Sequence, residues 1–179
     1  MNKRFLLFAA AFTIFSISSF GQEQTKIKVI DINNIDQSHL TGDIYLVDHS
    51  LKDLAGTYRS EQDGTTLILN LKVDDIRVNA GERKIKIQAL IATYQVFREG
   101  TLIARSSKTE RMVGNRLSHK PETLQFYTDD KHGTATAIDM LIRDKTTLVI
   151  AMSKDQGWIK PQREREFAFS LPVTVAKVE

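Results

Sequence analysis

Residues able to do chemistry are sparse in this sequence and widely spaced. Four histidines, His39, His49, His119 and His132, stand in four separate polar segments, with no HxH or HxxxH spacing to set two imidazoles on one metal. The nearest thing to a ligand cluster is Asp129-Asp130-Lys131-His132-Gly133, where Asp130 and His132 are of the types a divalent ion takes; this composition reads first as a solvated turn. His49 beside Asp48 is a weaker version of the same pairing. Adjacent acids occur at Asp74-Asp75 and Asp129-Asp130, in connections. Carboxylate hydrolysis needs two acids facing each other across a cleft, which adjacency does not supply. No G-x-S-x-G turn presents a nucleophilic serine, and the 9 glycines stand singly, so no loop cradles phosphate. Cysteine is absent, which removes thiolate nucleophiles, thiolate metal sites, disulfides and a cysteine-linked lipid anchor. The expectation is a protein that is not an enzyme and carries no metal or cofactor.

What remains is the chemistry of recognition. The stretch Ser106 to Pro121 has little apolar periodicity and reads as a long loop, in which Lys108, Arg111, Arg116 and Lys120 outweigh Glu110. Met112, Val113 and Leu117 are interleaved with these charges, a composition suited to an anionic head group or a protein partner. Trp158, in DQGWIKPQ, is either an interaction aromatic or a lid folded onto the core. For a ligand enclosed by a sheet, the residues of choice are Tyr58, Leu69, Phe126, Met140, Phe167 and Trp158. The wider inward set adds Leu67, Leu71, Ile85, Ile87, Leu124, Ile138, Leu148, Ile150 and Phe169. These are mid-sized aliphatics with few polar anchors, which fill a small barrel more readily than they line a pocket.

The elements that must position these residues begin after an export signal. Lys3 and Arg4 form a basic n-region, Phe5 to Ile17 is nearly all apolar, and Ser19-Phe20-Gly21 offers small residues to a signal peptidase, so residues 1–21 read as a signal peptide cleaved before Gln22. The apolar run is shorter than the roughly 20 residues of a membrane-spanning helix, and no later segment is long enough to span. The expected product is periplasmic or secreted, without a lipid anchor. Loss of Lys3 and Arg4 lowers the formal charge from +3 to +1, which argues against a nucleic-acid partner. The roughly 158 residues that follow suffice for one domain that needs no staples.

Residues 22–50 read as a leader, with a short strand in KIKVIDI, packed on a β-domain at 51–179. Ser50-Leu51-Lys52-Asp53-Leu54 reads as a helical turn with Ser50 as N-cap. Gly56 ends it, Thr57-Tyr58-Arg59 opens a strand and Glu61-Gln62-Asp63-Gly64 reverses the chain. Leu67, Leu69, Leu71 and Val73 then alternate as a half-buried strand does. From Lys84 to Arg98 the alternation changes phase between Ile85-Ile87 and Tyr94-Val96, which predicts a bulge or bend near Leu90 to Thr93. Arg98-Glu99-Gly100-Thr101 reads as a hairpin turn, and Leu102 to Ala104, Thr123 to Thr128, Thr134 to Arg143, Thr146 to Ser153, Glu166 to Leu171 and Val173 to Val178 complete the strand candidates. About eight or nine strands on short connections predict an all-β fold, an antiparallel meander closing into a barrel, with two packed sheets as the other solution.

LKDLAGTYRSEQDGTTLILNLK, LIATYQVFREGTLIARS, LQFYTDDKHGTATAIDM with TTLVIAM, and FSLPVTVAKVE occur in an order that resembles an uncharacterised family of exported bacterial proteins, a domain of unknown function. The resemblance covers roughly Asp48 to Lys177, with Tyr58 where that family has Trp and Ala92 where it has Gly. It implies no catalytic residue. A helical turn leading into Gly56-Thr57-Tyr58 also looks like the opening of lipocalin-type barrels, where the aromatic closes the floor. Together these imply an exported, non-enzymatic β-barrel domain binding a small amphipathic molecule or an envelope partner. The alternative is a structural or stress-related envelope protein with a solid core, acting through its surface.

Overall fold

The computed structural model describes residues 27–32, 42–80, 83–106, 112–117, 120–128, 136–153 and 168–178. The signal peptide, most of the leader, His39, Lys108, Arg111, His119, Asp129, Asp130, His132, Trp158 and Phe167 lie outside these residues. The described chain forms strands β1 (Lys28–Asp31), β2 (Ile44–Val47), β3 (Gly56–Gln62), β4 (Thr65–Ala80), β5 (Arg83–Arg98) and β6 (Thr101–Arg105). There follow β7 (Met112–Leu117), β8 (Lys120–Thr128), β9 (Thr136–Ile142), β10 (Thr147–Met152) and β11 (Val173–Lys177). The one described helix, α1, is the turn Leu51–Leu54.

Strand order β5-β4-β3-β11-β10-β9-β8-β7 returns to β5 through a β5–β7 pairing, so eight antiparallel strands close a barrel. Closure pairs edges that an open meander would leave exposed. The longest strand organises the rest. β5 pairs with β4 along its whole length, from Arg98↔Thr65 to Arg83↔Ala80. Its other edge is shared: Ile85 to Ile87 take β2, Leu90 to Ala92 take β7, and Gln95 to Arg98 take β6. Two-residue turns at Asp63-Gly64 and Glu99-Gly100 have positive φ at both positions, 50° and 71° in the first, 49° and 78° in the second. This is the backbone that matches strand twist in a tight hairpin, and glycine takes it without strain.

Alternation sends one set of side chains inward. Leu67, Leu69 and Leu71 of β4 meet Leu124, Phe126, Ile138, Met140, Leu148 and Ile150 from across the barrel, all buried. Each such side chain contributes about 1.5–3 kcal/mol through burial. At Gly114 an added Cβ would sit 2.5 Å from the Phe126 ring, so the glycine opens the space that the ring fills. The expected all-β barrel with a short helix before its first strand is the fold observed.

Several features differ from the sequence-based expectation, and Asp74-Asp75, expected in a connection, lie within β4 opposite Ala89 and Gln88. No bulge interrupts the β4–β5 ladder between Leu90 and Thr93; irregularities fall instead at Val96/Phe97 against β6 and Arg116/Leu117 against β8. Leu90, Ala92, Tyr94 and Val96 face the interior, whereas Ile85 and Ile87 share the opposite face of β5 with the buried Ala89 and Ile91. Both faces of the strand carry apolar residues, and that produced the apparent phase change. The stretch 106–121 is not one loop, since it contains all of β7 and the start of β8. Residues 168–171 are irregular rather than a strand, and β1 and β2 join the sheet in parallel, outside any meander.

Candidate functional site

The two ends of the barrel are built differently. At the floor, α1 places Leu51 and Leu54 on the core, and the Tyr58 hydroxyl donates to Leu54 O at 2.9 Å. Tyr58 thereby does what a Gly-x-aromatic opening suggested: a fully buried ring closes the floor while its one polar atom finds a partner. Burial raises the Tyr58 pKa above the ordinary tyrosine value. Ser50 does not cap the helix with its side chain; its hydroxyl and backbone N–H both donate to Asp48 Oδ1.

Asp48 is 3% exposed and faces Arg116, whose Nε lies 3.5 Å from Asp48 Oδ2. The same guanidinium donates to Ser50 Oγ at 2.9 Å and to the Pro121 carbonyl. Arg116, expected among residues meeting an outside partner, is thus committed within the molecule, tying the segment before α1 to β7 and β8. Lys120, the first residue of β8, is exposed.

At the other end the described residues border a half-open recess. The Asp63-Gly64 and Glu99-Gly100 turns are joined by a Glu99 N–H to Gly64 O hydrogen bond of 2.9 Å. Opposite them the irregular segment before β11 lays Phe169 edge-on against Tyr94, with ring centroids 5.9 Å apart. Between turns and segment lies a half-open recess of about 450 Å³. Leu67, Phe169 and Val173 make its apolar floor, and Ser60, Gln62, Asp63, Thr65 and Arg98 supply polar groups around it. Asp63 and Arg98 form no ion pair among the described residues, although both line the recess.

The four described members of the expected ligand set, Tyr58, Leu69, Phe126 and Met140, are brought together, but in the packed core, each no more than 1% exposed. None lines the recess. Arg98 and Asp63 were read from sequence only as turn residues. Their signal was weak, because a charge beside a hairpin turn is ordinary until the turn is known to border an opening.

Elsewhere, Gln125 is buried on the barrel exterior, donating to Ser153 Oγ at 2.9 Å and Asp139 Oδ1 at 3.3 Å, while Tyr127 donates to its Oε1. A smaller recess of about 240 Å³ adjoins this network, between Ile76, Val113 and Leu117. Beyond the barrel, Asp75 has a lowered pKa because Lys86 and then Tyr45 hydrogen-bond its carboxylate, and the same contact raises Tyr45. Asp144 is lowered by hydrogen bonds from Thr146. Among the described residues no group of three or more His, Asp or Glu is placed to hold a metal ion, and no helix is long and apolar enough to cross a membrane.

No protein-family model matches the chain, and neither the curated proteins nor the solved structures include a match. The resemblance to an exported family therefore gains no support from relatives, and the barrel stands on its own geometry.

Proposed function

We propose that this chain is an exported, non-enzymatic β-barrel domain that binds a small amphipathic molecule at the barrel mouth. The observation that supports this most is the recess of about 450 Å³, apolar below and polar around its edge. Its size falls within the roughly 300–1,000 Å³ typical of small-molecule sites, and six polar residues, Ser60, Gln62, Asp63, Thr65, Arg98 and Ser170, surround four apolar ones, Leu67, Ala168, Phe169 and Val173. Export rests on the sequence of residues 1–21, and the N-terminus of the secreted product, expected at Gln22, checks it. Tyr58, Leu69, Phe126 and Met140 would support such a ligand from beneath.

Thermal unfolding across a panel of short amphiphiles tests the mouth. A ligand that binds only the folded state stabilises it by about 2.7 kcal/mol at a hundred times Kd. The expected result is a concentration-dependent rise in Tm that Ser60→Trp, which fills the recess, abolishes. A flat response across the panel would remove the small-molecule reading.

A second reading is favoured by the packed interior, in which Leu69, Phe126, Met140 and Leu148 are all essentially fully buried. In it the protein is a structural or stress-related envelope component acting through its surface. Co-purification with an envelope protein that persists in Ser60→Trp would select this reading.

A further inference from the structure

The geometry points to a zwitterionic amphiphile as the occupant of the mouth, ordered outward as apolar chain, phosphate, then amine, with Arg98 and Asp63 reading its two charges. The inference rests on the mouth being the binding site. Its basis is a gradient of chemistry along the barrel axis. Innermost along the ladder is Leu67, two residues in from Thr65 and buried, as is Val173, with the half-buried Phe169 packed against the same core. Arg98 belongs to the last ladder row, opposite Thr65, which pairs on its other side with Gln62. Asp63 lies beyond that row, in the turn.

A second carboxylate reinforces the outer end. Glu99 occupies the neighbouring turn, and its Cγ would lie 4.0 Å from a Cβ placed on Gly64. An anion held near the apolar floor meets the planar guanidinium fork that suits phosphate oxygens, and a cation further out meets carboxylates. A lone anion at Arg98 would feel Asp63 as a like charge, and a lone cation at Asp63 would feel Arg98. A zwitterion of reversed order would place each charge nearer its own kind. Two opposite charges that line one recess and pair with no described residue are each available to such a head group.

Calorimetric titration of the full chain with octyl ligands below their micelle concentrations tests this. The heads are phosphocholine, sulfate, trimethylammonium, a sulfobetaine with the cation next to the chain, and glucoside. Phosphocholine is expected to bind about three- to tenfold tighter than the others, the range for partly exposed charge contacts. Arg98→Gln and Asp63→Asn should each reduce that preference about threefold, and Asp63→Asn should also tighten octyl sulfate. Equal affinity for all heads, or a preference for the sulfobetaine, overturns the head-group order while leaving the mouth as a site. Failure of every octyl ligand to bind overturns the mouth reading itself.

Discussion

The floor and the mouth of this barrel use charge in opposite ways. At the floor Asp48 and Arg116 are drawn out of water and set against each other, and the Tyr58 hydroxyl is spent on a backbone carbonyl. At the mouth Asp63 and Arg98 line one recess, neither in an ion pair among the described residues. A buried charge requires a partner because desolvation is costly, whereas an exposed charge can wait for one. The difference separates the end whose charges hold the fold together from the end whose charges stay exposed.

Substitutions can break or sharpen that contrast, with urea unfolding at neutral pH as the measurement. Phe126→Ala removes the ring that fills the space over Gly114 and should cost about 3–5 kcal/mol; a loss below about 1 kcal/mol would mean the interior is not solid. Arg116→Met leaves Asp48 buried without its cation and should cost about 2–4 kcal/mol, much of it recovered when Asp48→Asn is added. Additive losses in the double variant would show that the pair is not coupled. Arg98→Gln and Asp63→Asn should each change stability by less than about 0.5 kcal/mol, as surface positions do. A large loss at either would place the mouth charges among the structural ones.

The smallest expected effect at neutral pH apart from the mouth variants is that of Tyr58→Phe, about 1 kcal/mol for the hydrogen bond to Leu54 O. Its pH dependence is more telling. Burial raises the folded-state pKa of Tyr58 above 10.0. As pH climbs past the unfolded value, the unfolded chain releases the phenolic proton while the folded one keeps it. Stability contributed by neutral Tyr58 is therefore complete below about pH 10 and declines above it. Comparison with Tyr58→Phe should show a smaller alkaline decline in the variant; identical slopes would mean that the phenol is solvated in the fold.

The sequence was legible where one face of a strand is buried and the other wet. Leu67, Leu69 and Leu71 alternate with Thr66, Ile68, Asn70 and Lys72, mostly polar, and they do face the interior. It misled where both faces are apolar. Ile85 and Ile87 alternate as well as any core residues, yet lie on the outer face of β5, because a period of two separates faces without saying which is inside. β7 was hidden in MVGNRL, where a glycine and two polar residues mask the strand. Gly114 belongs there only because Phe126 crosses it, a relation between residues distant in sequence. Arg116 looked like a solvated cation for a similar reason, since Asp48 becomes its neighbour only when the segment before α1 folds under the barrel.

By itself the sequence determined that the chain is all-β, with tight turns at Asp63-Gly64 and Glu99-Gly100 and a helical turn before Tyr58, since propensity, alternation and turn chemistry act over a few neighbouring residues. Only the tertiary structure decided which aliphatics became core, that Arg116 holds the floor, and that Arg98 and Asp63 share an open recess. Those outcomes depend on barrel closure, which brings together strands far apart along the chain, burying Asp48 at one end and leaving Asp63 and Arg98 exposed at the other.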